Sequence, residues 1–151
     1  MQALLDALQL KFTDSALWNQ VGGRIYFEVS ELQDVPRVIY HIVNSTSDDT
    51  YTESYDDVLV QVDLFSAKSA GSTEINTMYS NLKSLFSTAI PSPISKTMEG
   101  CSLILAGSGT VLWMRRTNLV TYSEDLDTPL PDGTTGLYHW CVDFEVALDN
   151  G

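Results

Sequence analysis

The stretch Ser66–Thr73, SAKSAGST, lies between a run that alternates apolar and polar residues and one whose apolar residues recur at helical spacing. A strand, a glycine-bearing loop and a helix in that order build many phosphate sites, because backbone N–H groups at the start of the helix converge on the anion. Such a loop needs a pattern like GxxxxGK[ST], with several glycines and a lysine set against the phosphate. Here Gly71 is the one glycine and Lys68 precedes it. The stretch therefore reads as a corner in a scaffold, and the GSG of Gly107–Gly109 reads as a hairpin turn.

Other constellations are equally thin. No GxSxG elbow is present to hold a nucleophilic serine. The acidic pairs Asp48/Asp49, Asp56/Asp57 and Glu124/Asp125 lack the D-x-[DN]-x-[DN]-G spacing of a calcium loop and read as solvated. Cys101 and Cys141 are far apart and form no CxxC, which reads as two buried free thiols in a reducing compartment. His41 and His139 each stand inside an apolar strand pattern and read as lacking a second ligand at i+2 or i+4, so both are expected as strand-face histidines and not as metal ligands. No catalytic, metal or cofactor site is expected. Arg115 and Arg116, in WMRRTN, are the only adjacent bases. They read as a solvated strand end, where one can pair an acid within the fold and the other reach a partner.

Regular elements must position all of these residues. Leu4, Leu5, Leu8 and Phe12 recur at helical spacing, which predicts an amphipathic helix over Ala3–Phe12. Gly22 and Gly23 precede RIYFEV, whose alternation predicts a strand and a candidate sheet edge. Pro36 opens a second strand, RVIYHIV, where a missing N–H costs least. Asp57–Phe65 places Val58, Val60, Val62 and Leu64 on a face that must be core, and Leu59, Gln61, Asp63 and Phe65 on one that is partly covered or at an interface. After the corner, Ile75, Met78, Tyr79, Leu82, Leu85 and Phe86 share one side of a core helix, with Ser72 as its expected N-cap.

IPSPIS, from Ile90, ends that helix. CSLILAG and TVLWMRR read as two strands joined by the glycine turn, and a polar loop over Ser123–Gly136 leads to the last strand. There Tyr138, Trp140, Val142, Phe144, Val146 and Leu148 alternate with His139, Cys141, Asp143, Glu145 and Ala147. This order predicts one α+β domain over residues 1–151, with a largely antiparallel β-sheet and helices packed on one face.

Composition bounds the function. A chain of 151 residues with 44% hydrophobic residues can bury a core without metal or disulfide, and no apolar run approaches the roughly 20 residues of a membrane span. MQALLDALQLKF has no basic leader and carries Asp6, which argues against a secretory signal and for a cytosolic protein. The formal net charge is −12, from 20 acids and 8 bases. Such a field repels phosphate backbones and excludes tight, sequence-independent nucleic-acid binding.

GGRIYFEV, then a proline followed by RVIYHIV, then a long polar loop and DDVLVQVDLFSAKSAGSTEINTMYSNLKSLF, together resemble the tail-completion or tail-terminator family of long-tailed bacteriophages. The likeness runs from the first helix through Phe86, and a closing strand such as Tyr138–Leu148 fits it. The resemblance implies a non-enzymatic structural protein of the virion, made in the host cytoplasm. It would assemble as a homo-oligomeric ring, a hexamer, on the head-proximal end of the tail tube, where it ends polymerisation and joins the tail to the neck. Its partners would be itself, the tail tube protein, a neck or head-completion protein, and genomic DNA passing an acid-lined lumen without specific binding. The polar run Asn44–Asp57 is expected as an extended hairpin loop that orders against a neighbour. The expected contact residues are Asp48, Asp49, Tyr51, Tyr55, Asp56, Asp57, Arg115 and Arg116. Another head-to-tail connector, a tail-tube subunit, or a small ligand-binding domain or enzyme are the alternatives.

Overall fold

Two helices open the chain in the computed structural model, which describes residues 1–28, 34–49, 54–86, 105 and 110–149. Helix α1 (Gln2–Phe12) buries Leu4, Ala7, Leu8 and Phe12, the stripe its periodicity requires. Helix α2 (Ala16–Gln20) has no counterpart in the expected elements. It is only five residues long, and Ser15 starts it by accepting a hydrogen bond from the Trp18 N–H at 3.1 Å. Leu17 and the following Val21 are fully buried.

Gly22 and Gly23 then turn the chain with φ of 61° and 77°, a region that costs L side chains about 1–2 kcal/mol. At Gly23 a Cβ would also meet the Trp18 ring at 3.3 Å. Strand β1 (Ile25–Phe27) follows and pairs in parallel with the start of β2 (Arg37–Asp49). Arg24 ties the beginnings of these two strands together, since its Nε–H donates to the Pro36 carbonyl at 2.9 Å. The Gly-Gly-Arg and the proline that leads β2 are thus parts of one joint.

Strand β3 (Ser54–Ala67) pairs antiparallel with β2 and with β5 (Gly136–Asp149), and β5 pairs antiparallel with β4 (Thr110–Asp125). The sheet order is β1-β2-β3-β5-β4. It is an α+β fold with a mostly antiparallel sheet, as the order of periodicities implies. On one face Val58, Val60, Val62 and Leu64 of β3 and Val142, Phe144 and Val146 of β5 are fully buried. Helices α1 and α3 (Ser72–Phe86) contribute to this core Leu8 and Phe12, and Ile75, Met78, Leu82 and Phe86. Phe86 meets both Phe12 and Phe144 edge-on, with centroids 5.6 and 5.2 Å apart.

Three expectations are corrected. The polar run Asn44–Asp57 is not an extended loop: its described residues lie in β2 and β3, paired from Asn44↔Leu59 to Asp49↔Ser54. Backbone pairing carries a polar strand here because β3 is already fixed by β5 on its other side, from Tyr55↔Asp149 onward. The loop expected from Ser123 begins later, because β4 continues to Asp125 against Gly136. Helix α3 starts at Ser72 itself, so the residue before its first turn is Gly71. The expected strand at CSLILAG and the turn at Gly107–Gly109 lie outside the described residues, apart from Leu105, which packs against the core.

Candidate functional site

The corner between β3 and α3 is a single turn of 3-10 helix (Lys68–Ala70) closed by Gly71 at φ 74°. Its polar groups serve the fold. The fully buried Ser66 donates to Oε1 of Glu74 at 2.6 Å, and Lys68 Nζ pairs with Asp125 at 2.9 Å. Gln20 Nε2 reaches the Glu74 carbonyl at 3.2 Å. These contacts make the corner a structural link, in keeping with its lack of a phosphate-loop pattern.

The face of the sheet that is helix-free among the described residues carries the chemistry. Residues two apart on a strand share a face, and register brings Asp63 of β3 opposite Cys141 of β5, with Phe65 opposite His139. His139 Nε2 is 3.3 Å from Oδ1 of Asp63 and 3.3 Å from Sγ of Cys141. Its other ring nitrogen, Nδ1, is 3.2 Å from Oε1 of Glu124 on β4. Phe65 stacks on the imidazole, 4.2 Å between centroids and 18° from parallel. His41 of β2 approaches the second oxygen of Asp63 at 3.8 Å. Asp63 is only 9% exposed, and its Oδ1 is shut from water without a hydrogen bond of good geometry.

Electrostatics follow from this packing. Burial works against the His139 imidazolium, but the carboxylates of Asp63 and Glu124 outweigh it, so the pKa is raised above the ordinary value. Burial likewise works against the Asp63 anion, yet His139, Cys141 and His41 together hold its pKa below the usual carboxylate value. Burial first, and then the Asp63 carboxylate, push the Cys141 thiol up to about 12. A thiol held protonated is the opposite of an activated nucleophile. Asp63, His139 and Cys141 do place one potential metal-ligating atom each within 4.8 Å of one another.

This cluster was missing from the expected site residues, although one signal was available: Cys141 stands two residues after His139, on the same strand face. The expected contact residues do not form one patch. Tyr55 and Asp57 follow the parity of Asp63 on β3, and Asp57 lines a groove of ≈ 400 Å³ with Leu59, Thr46 and Glu145. Arg115 pairs with that Glu145 at 2.8 Å. Arg116 lies at the other face, 5.5 Å from the Tyr79 ring of α3. Asp49 and Asp56 accept hydrogen bonds from Ser54 and Ser47 at 2.7 and 2.9 Å. Asp48 belongs to β2, and Tyr51 lies outside the described residues. A second cleft, ≈ 280 Å³ between α1 and β1, is walled by residues such as Phe12, Trp18 and Tyr40, with no carboxylate, histidine or cysteine among the described residues of its lining.

No protein-family model and no curated protein matches the sequence. Among solved structures, the fold is similar to a chain described as "Virion of native gene transfer agent (GTA) particle", at a TM-score of 0.60 and 11% identity. The similarity covers 95% of this chain and 92% of that one. It establishes a shared fold over nearly the full length of both chains.

Proposed function

We propose that this protein is a structural component of a phage-like virion, and within it the terminator of the tail. In this reading a ring of subunits, a hexamer, sits on the head-proximal end of the tail tube, stops its growth and docks to the neck. The observation that carries the reading is the fold shared, almost end to end, with a chain of a gene transfer agent virion. The tail position rests on the resemblance of the β1, β2 and β3–α3 segments to tail terminators. The Arg24–Pro36 joint links two of the motifs on which that resemblance is drawn.

Subunit contacts in such a ring would use sheet edges and the helix-free face. Among the described residues, β2 beyond Tyr40 has β3 on one side and no strand on the other, and β4 is the outermost strand opposite. The groove beside Asp57 lies between them. The net charge of −12 suits a lumen through which DNA slides without being held.

The test is to image particles produced with this gene deleted. Heads and tails should fail to join, and tubes should lose their uniform length. Joined particles with tails of normal length would overturn the reading. Antibody labelling of intact particles separates the alternatives, because a terminator or connector marks the neck alone, whereas a tube subunit marks the whole tail.

A further inference from the structure

We propose that Asp63, His139 and Cys141 form a binding site for a soft divalent cation, zinc in the first instance, on the helix-free face of the sheet. The inference is independent of the assembly reading above.

Geometry carries it. Zinc bonds of about 2.3 Å to sulfur and 2.0–2.2 Å to nitrogen or oxygen imply tetrahedral edges of about 3.5 Å for S···N and about 3.3 Å for N···O. The corresponding separations are 3.3 Å for Cys141 Sγ to His139 Nε2 and 3.3 Å for Asp63 Oδ1 to the same nitrogen. The three ligand atoms lie within 4.8 Å of one another, so the remaining edge, between Asp63 and Cys141, must close to the roughly 3.5 Å of a tetrahedral S···O pair when an ion binds. Asp63 and Cys141 are register partners on neighbouring strands, and His139 is two residues from Cys141 on the same strand. The backbone ladder thus fixes all three stems in advance.

The surroundings point the same way. Histidines that bind metal usually have the other ring nitrogen hydrogen-bonded to a carboxylate or carbonyl, which sets the tautomer. Glu124 stands 3.2 Å from Nδ1 of His139, placed to accept from an Nδ1–H, so that an ion displacing the Nε2 proton would meet the Nε2 lone pair beside Asp63 and Cys141. Phe65, stacked on the ring, holds its plane. Asp63 Oδ1 adds an observation: it is shut from water, with the 3.3 Å approach of His139 Nε2 but no hydrogen bond of good geometry. A cation there would satisfy it. The mixed S, N and O donors select a borderline-soft ion over magnesium or calcium, which take oxygen. A fourth position remains for water or for the nearby His41.

Cobalt(II), a spectroscopic stand-in for zinc, tests the site in purified, fully reduced protein. One equivalent should produce the intense visible bands of a tetrahedral ion and a near-ultraviolet thiolate charge-transfer band, and zinc should displace both. Cys141→Ser should abolish the charge-transfer band and Asp63→Asn should weaken binding at least tenfold, while Cys101→Ser leaves both bands in place. Circular dichroism of each variant without metal checks that it is folded. If Cys141→Ser does not fold, Cys141→Ala replaces it in the same titration. Absence of a thiolate band, a weak octahedral spectrum, or bands that survive loss of the Cys141 thiol would overturn the proposal.

Discussion

On the helix side of the sheet, Val62, Val142 and Phe144 are fully buried among other hydrocarbon groups; on the helix-free side, the intervening Asp63, Cys141 and Asp143 face one another, imidazole and partial solvent. The same two strands, in one unbroken register, build both surfaces. The first surface is stabilised by shape and by exclusion of water, neither of which responds to pH. The second is stabilised by protons and charge. What separates them is only the two-residue period of a strand, so a single element serves as core on one side and as a chemically responsive surface on the other.

Substitutions should break this contrast most sharply on the helix side. Phe144→Ala removes a ring that meets Phe86 edge-on and should destabilise by about 3–5 kcal/mol, read as a lower denaturant midpoint with little dependence on pH. Ser66→Ala, at the buried corner, removes the 2.6 Å bond to Glu74 and should cost about 1.5–3 kcal/mol in the same assay.

The helix-free side should reveal itself through pH, with a chelator present to keep metal away. His139 has a raised folded pKa, so its contribution is complete below the unfolded value of about 6.5 and is lost as pH rises through the folded one. Asp63 has a lowered one, so its contribution is complete above about 3.9 and is lost as pH falls through the folded value. The pair should therefore stabilise most between about pH 4 and 6.5, and Asp63→Asn should flatten the profile on both sides of that window. An unchanged profile would show that His139 does not sense Asp63.

Smaller effects sharpen the picture further. With its thiol near 12, Cys141 should react with iodoacetamide far more slowly at neutral pH than an unfolded control, a difference visible by mass spectrometry. Arg115→Ala removes a solvent-exposed pair with Glu145 and should change stability by no more than about 1 kcal/mol.

The core was legible because its signals are periodic. The stripe Leu4, Leu8, Phe12, the alternation through Val58–Leu64 and the long alternation of β5 each repeat often enough to fix an element and the face it buries. Helix α2 is too short to show a period, and its stability comes from a cap and two buried side chains. The polar half of β2 shows no alternation, because it becomes a strand through pairing with β3 and not through its own composition. The cluster needed long-range information of another kind. His139 and Cys141 share a face by local spacing, but Asp63 and Glu124 join them only once strand order and register are set.

Register shifts are confined to the flanks of the sheet. Strand β2 has one between Ile42 and Asn44, and β4 has two, between Val111 and Trp113 and between Arg116 and Asn118, whereas β3 and β5 run together without interruption. Each bulge bends its strand and sets the next N–H and C=O groups out of step with a regular ladder. A neighbour can add to such an edge only where its own irregularities match, so endless side-by-side stacking into a ribbon is penalised. If the subunit assembles as proposed, these interruptions would supply assembly fidelity: they reject an open-ended polymer while leaving a fitted partner admissible.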